Sequence, residues 1–128
     1  FVEWIISRAN QDRDLRLFND VLFSPISIWD LANEIKFLIK SNNINSETLH
    51  ITSETCDKYQ FGKLLLENLN ISTAKLFEGS ILSFKERANR SMDQSMDSSF
   101  YIKKYNRNLP SLNQTIINIK KHYTQKLP

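Results

Sequence analysis

The sequence predicts an α/β fold, mainly helical with a few short strands, and three observations carry that prediction. Ile28, Leu31, Ala32, Ile35, Leu38 and Ile39 recur at the i, i+3, i+4 spacing of a helix. Leu15–Phe18 alternates in the manner of a strand, and Thr48–Thr52 (TLHIT) is rich in β-branched residues. Helical and extended stretches then alternate along the chain, the order expected of an α/β domain.

The elements follow from local chemistry. Val2, Ile5, Ile6 and Ala9 give residues 1–11 one apolar helical face, which Asp12–Asp14 end. Asn19-Asp20 turns after the first strand. Pro25 holds Ser24 in an extended bend, because its ring disfavours helix for the preceding residue. Ser27 is the expected N-cap of the helix that carries the isoleucine stripe, and residues 41–46 read as a polar turn. Asp57 caps a helix containing Tyr59, Phe61, Leu64, Leu65 and Leu69. Between Ser72 and Asp97 the pattern is irregular, with a brief strand near Leu76-Phe77. Ser98 or Ser99 opens a short helix to about Tyr105. After the Leu109-Pro110 stop, Ser111 caps a last helix with Leu112, Ile116, Ile119 and Tyr123 on one face.

Composition narrows the function. The 128 residues are 41% hydrophobic and 24% charged, the balance of a folded chain large enough to bury a core. A net charge of +3 suits an anionic ligand but is too small for nucleic acid, and the basic cluster Lys120, Lys121 and Lys126 reads as a solvated helix end. One cysteine, Cys56, excludes an internal disulfide, and no apolar run approaches the ~20 residues of a membrane span. A cytoplasmic home is the expectation, with neither nucleic acid nor membrane as partner. The sequons at Asn70, Asn89 and Asn113 read as coincidence in a chain rich in Asn and Ser. No repeat or linker interrupts the sequence, so residues 1–128 read as a single unit. Its first residues read as mid-helix, with no capping residue ahead of Val2, which suggests a fragment.

No catalytic constellation emerges. Tyr59 and Lys63 have the Tyr-x-x-x-Lys spacing in which an ammonium lowers a phenol's pKa for proton transfer. That chemistry also needs a glycine-rich strand-to-helix turn for a dinucleotide, and the only glycines are Gly62 and Gly79. The pair is read as a packing aromatic and a surface lysine. His50 and His122 lack a second ligand at metal-binding spacing, Cys56 lacks a Cys-x-x-Cys partner, and Asp93 and Asp97 read as exposed-turn carboxylates. No catalytic, cofactor or metal residue is assigned.

A family resemblance runs through the chain instead. Phe1–Pro25, ending in Asp20-Val-Leu-Phe-Ser24-Pro25, resembles the F-V-x-x-h-h helix, strand and D-x-x-x-S-P run of dTDP-4-dehydrorhamnose reductases. Those are extended short-chain dehydrogenases of the NAD-dependent epimerase/dehydratase superfamily. Ile28-Trp-Asp30-Leu31-Ala32 is similar to the family's h-x-D-L-A helix opening. Leu49–Thr52 resembles its Y-H-h strand, and Lys58–Phe61 its x-Y-E-F helix start. Arg87–Asp93 looks like R-P-x-N-S-x-L-D with Ala for Pro and one residue fewer, and Leu109–Leu112 like L-P-x-W with Leu for Trp.

The resemblance implies the carboxy-terminal, substrate-binding part of a Rossmann-type extended short-chain dehydrogenase. It implies a nucleotide-sugar reductase or epimerase of surface-polysaccharide biosynthesis, inactive as this chain alone. The cofactor NAD(P) then belongs to a missing amino-terminal half, whose absence leaves an apolar face open to self-association. Arg87, or Arg90 in its place, is the expected contact to the diphosphate, because a guanidinium offers paired planar donors. Phe23, Ser24 and Pro25 are expected to line the sugar or base pocket, with Phe23 either stacking on the base or filling the core. The competing reading is a non-catalytic binding or regulatory module derived from the same fold.

Overall fold

The computed structural model describes residues 1–41, 46–84 and 91–124, and these gather into two compact units interleaved along the chain. The first contains Phe1–Phe23 and Cys56–Gln94; the second contains Ser24–Thr55 and Ser95 onward.

In the first unit, α1 (Val2–Asn10) turns at Asp12, whose φ of 52° lies in the left-handed region, and leads into β1 (Leu15–Phe18). β1 pairs in parallel with β4 (Leu76–Gly79), from Leu15 opposite Leu76 to Phe18 opposite Gly79. A second small sheet has the order β3 (Cys56–Asp57), β2 (Leu22–Phe23), β5 (Asp93–Gln94); β2 runs antiparallel to β3 and parallel to β5. Helix α3 (Lys58–Asn68) starts where Asp57 Oδ1 accepts the Gln60 N–H at 2.7 Å. It ends in a turn at Asn70, whose φ is 56°. Ile5 and Ile6 of α1, Leu15 and Leu17 of β1, and Phe61, Leu65 and Leu66 of α3 form the core. Gly62 lets α3 close onto β1: a Cβ there would stand 2.2 Å from Leu17 Cδ1. Beyond β4, the Asp20 carboxylate accepts the Ile81 N–H at 2.9 Å and fixes the 3-10 turn Ile81–Ser83.

In the second unit, Ser27 caps α2 (Ile28–Ser41) by accepting the Asp30 N–H at 3.1 Å. α4 (Ser99–Tyr105) ends at Asn106 in the left-handed region, and Ser111 accepts the Gln114 N–H at the start of α5 (Leu112–Thr124). Leu112, Thr115, Ile116 and Ile119 bury one face of α5, and α2 packs on it. Asn118 donates to Asp30 at 2.7 Å, and the rings of Trp29 and His122 stack at 3.9 Å. The inward face of α2 carries Leu38 and an unexpected Glu34, only 6% exposed. Glu34 accepts from the Tyr101 hydroxyl at 2.7 Å and from Arg107 Nε and Nη2, both at 2.8 Å. The guanidinium carbon lies 4.2 Å from the centre of the Phe37 ring.

Two expectations differ from the structure. The stripe Ile28, Ile35 and Ile39 belongs to a helix but lies largely in solvent, because α2 turns the Leu38–Glu34 face inward. Thr48–Thr52 is not a strand, since among the described residues no neighbouring segment pairs with it. Part of the 41–46 turn, Asn89 and Lys126 fall outside the described residues.

Candidate functional site

The second unit holds an open cleft of about 370 Å³. Thr52–Thr55 form one wall, Met96–Ser99 with Ile102 the other, and Leu109–Ser111 close one end. Hydroxyl groups knit the walls together. Thr52 donates its N–H to Ser98 Oγ at 3.0 Å, and the two hydroxyls lie 2.9 Å apart. These residues are 3% and 8% exposed, so the bonds sit where water competes little.

Ser24 and Pro25 stand behind the same walls. The Ser24 hydroxyl lies 2.9 Å from Thr55 Oγ1 and accepts the Met96 N–H at 3.1 Å, joining the two sides. Pro25, with no N–H of its own, offers its carbonyl to the Ser53 N–H at 3.0 Å and to the Ser53 hydroxyl. The Ser-Pro bend thus anchors the loop that shapes the cleft.

Two carboxylates border it. Glu54 accepts the Leu112 N–H at 2.9 Å and so caps α5. Asp97 accepts the N–H and the hydroxyl of Ser99, both at 2.8 Å, and these bonds hold its carboxyl below the usual carboxylate range. With this lining the cleft offers hydrogen bonds suited to hydroxyl groups, while its two acidic side chains disfavour a phosphate at that position.

Phe23 lies in the first unit. Its ring packs edge-on against Phe61 at 5.4 Å and Phe1 at 6.1 Å between centroids, and the Lys58 ammonium lies 5.8 Å from its centre. It is half-buried. Arg87 and Arg90 fall outside the described residues. The cleft-lining hydroxyls were not anticipated as a group. Their signal was the density of Ser and Thr in Thr52-Ser53-Glu54-Thr55 and Ser95–Ser99, two runs distant in sequence.

Neither glycine of the chain forms a phosphate-wrapping turn. Gly62 is buried inside α3 against Leu17, and Gly79 lies at the end of β4 against Arg16, so both glycines serve close packing rather than a phosphate-wrapping turn. Tyr59 is half-buried and Lys63 exposed on α3. Burial and the neighbouring Asp57 push the Cys56 thiol up to about 12, the opposite of an activated nucleophile. Among the described residues no group of three or more His, Cys, Asp or Glu is placed to hold a metal, and no helix is long and apolar enough to cross a membrane.

Short paired strands between capped helices make this an α/β fold. The family model described as RmlD substrate binding domain matches residues 1–125, and the chain belongs to that family. Solved structures share the fold. One is dTDP-4-dehydrorhamnose reductase from Bacillus anthracis in complex with NADP, at TM-score 0.83 and 18% identity over 95% of this chain and 43% of that one. A dTDP-4-dehydrorhamnose reductase of Clostridium acetobutylicum follows at 0.79 and 19%, covering 98% and 43%. The dTDP-glucose 4,6-dehydratase of Bacillus anthracis, in complex with NAD, reaches 0.72 at 8% identity, covering 98% and 39%. At these identities the likeness is one of fold, and the chain spans less than half the length of each structure. No curated protein matches the sequence.

Proposed function

We propose that this chain is the substrate-side portion of an NAD(P)-dependent nucleotide-sugar reductase or epimerase that acts in sugar-nucleotide or surface-polysaccharide biosynthesis. The observation that carries the reading is the family match over residues 1–125. A dinucleotide held by an accompanying domain would supply hydride in its reduced form or accept it in its oxidised form, since neither glycine of this chain suits a pyrophosphate. This chain binds and positions the sugar nucleotide and does not turn it over alone.

In this reading Arg87 and Arg90 take the diphosphate, the guanidinium providing two parallel N–H donors to its oxygens. Phe23 stacks on the base. Ser24 and Pro25 act from behind, through the loops they tie together. The protein is soluble and cytoplasmic, where sugar nucleotides are made.

Isothermal titration of the 128-residue chain with a dTDP-sugar tests the assignment. Binding is expected, with Arg87→Ala or Arg90→Ala weakening it at least tenfold and each variant melting as the parent does. Undiminished binding by the double variant removes both arginines from the site. A folded parent chain that binds no dTDP-sugar overturns the reading.

A further inference from the structure

The cleft of the second unit has an apolar part and a polar part. Met96, Ile102, Leu109 and Pro110 supply the apolar part. Met96 and Ile102 are 47% and 40% exposed, so hydrocarbon surface stands open to a ligand there. The polar part has two layers. Thr52 and Ser98, buried and bonded to each other, set the spacing of the walls. In front of them, Glu54, Thr55, Ser99 and Ser111 are exposed and line the opening.

These outer groups are held in place yet keep bonding capacity. Glu54 uses Oε2 to accept the Leu112 N–H, which leaves Oε1 as an acceptor. Ser111 Oγ accepts the Gln114 N–H and has its own proton to donate. Thr55 shares one hydrogen bond with Ser24, and a hydroxyl has capacity for more. Charge is muted by comparison. Asp97 accepts the N–H and hydroxyl of Ser99, and Glu54 accepts a backbone N–H, so neither carboxylate stands bare for a cation. Both still repel a phosphate.

The occupant that matches is neutral, with hydroxyls along its edge and C–H bonds across its face. A sugar ring has that distribution of polarity. At about 370 Å³ the cleft lies at the small end of ligand pockets, a size that suits a short saccharide better than an intact sugar nucleotide. We propose that this cleft is a further site for an unphosphorylated saccharide, with the hydroxyl edge on Glu54, Thr55 and Ser111 and the C–H face on Ile102 and Leu109. It does not rest on the nucleotide reading above, whose residues Phe23, Arg87 and Arg90 are not used here.

Ligand-observed NMR of the 128-residue chain tests the site, with methyl glucoside, methyl mannoside and maltose each at millimolar concentration. Saturation transfer to at least one of them is expected, strongest at its ring C–H protons, with at least fivefold less to glucose 1-phosphate. Ile102→Trp, which fills the apolar wall, is expected to cut the transfer at least fivefold while melting as the parent does. Should that variant melt lower, amide shifts of the parent decide. On addition of the sugar, Thr55, Ser99 and Ser111 are expected to move while the amides of α3 stay still. No transfer to any of these sugars overturns the proposal, as does equal transfer to glucose 1-phosphate. Transfer that a well-folded Ile102→Trp leaves intact overturns it, and so do shifts confined to other amides. Loss of dTDP-sugar binding in that same folded variant gives the cleft to the nucleotide's own sugar and overturns it too. Saccharide binding by a chain silent to a dTDP-sugar sinks the functional reading and leaves this site standing.

Discussion

Removing Arg107 tests how the second unit is held together. Glu34 is 6% exposed, and both its oxygens accept from the guanidinium at 2.8 Å while the Tyr101 hydroxyl donates at 2.7 Å. Arg107→Ala leaves that carboxylate with one neutral donor in a site nearly closed to water. Stripping one partner from a buried ion pair costs about 3–5 kcal/mol. The Arg107 side chain is 31% exposed, so water replaces part of what is lost, and about 2–3 kcal/mol is the expected cost. For a chain of this size that is roughly 7–11 °C in melting temperature at pH 7.

The loss depends on pH with a definite sign. The bonds from Arg107 hold the Glu34 carboxyl below its usual range. Its stabilisation is therefore complete above the unfolded value, about 4.3, and disappears as pH falls through the lower folded value. Calorimetry of parent and variant between pH 7 and pH 3 is expected to show a gap that narrows on acidification. A gap under about 0.5 kcal/mol at pH 7, the ordinary scale of a surface change, would refute the reasoning. So would one that widens as pH falls.

Three further outcomes follow from local geometry. Gly62→Ala gains helix propensity but sets a methyl 2.2 Å from the Cδ1 of buried Leu17, so a net loss of about 1–2 kcal/mol is expected in urea unfolding. A stabilised variant would contradict that packing. Ser27→Ala removes the acceptor of the Asp30 N–H and is expected to cost about 1 kcal/mol, read as a lowered thermal midpoint. Cys56, buried and with its thiol pushed up to about 12, is expected to react with a disulfide reagent at pH 8 at least a hundredfold more slowly in the native chain than in urea. Equal rates would show the site to be open.

Sequence patterns revealed the helices better than their orientation. The caps at Ser27, Asp57 and Ser111 were legible because a short polar side chain before an apolar periodic run has one favourable use. The inward face of α2 was not legible. Its hydrophobic line and its buried face differ, and only the distant Arg107 and Tyr101 make Glu34 an inward residue. Thr48–Thr52 has the composition of a strand, but composition supplies no neighbour to pair with. The crossings between the two units, at Phe23/Ser24, Thr55/Cys56 and Gln94/Ser95, carry no glycine or linker signal. For the cleft, the Ser24–Thr55 and Thr52–Ser98 contacts join residues 31 and 46 positions apart, a proximity that local patterns do not encode.

The central claim is that this chain serves the sugar nucleotide and leaves the dinucleotide to another domain. Ligand-observed NMR of the 128-residue chain with a dTDP-sugar and, separately, with NADPH tests it most directly. Saturation transfer to the dTDP-sugar with none to NADPH is the predicted result. Transfer to NADPH, with the dTDP-sugar silent, would contradict the account.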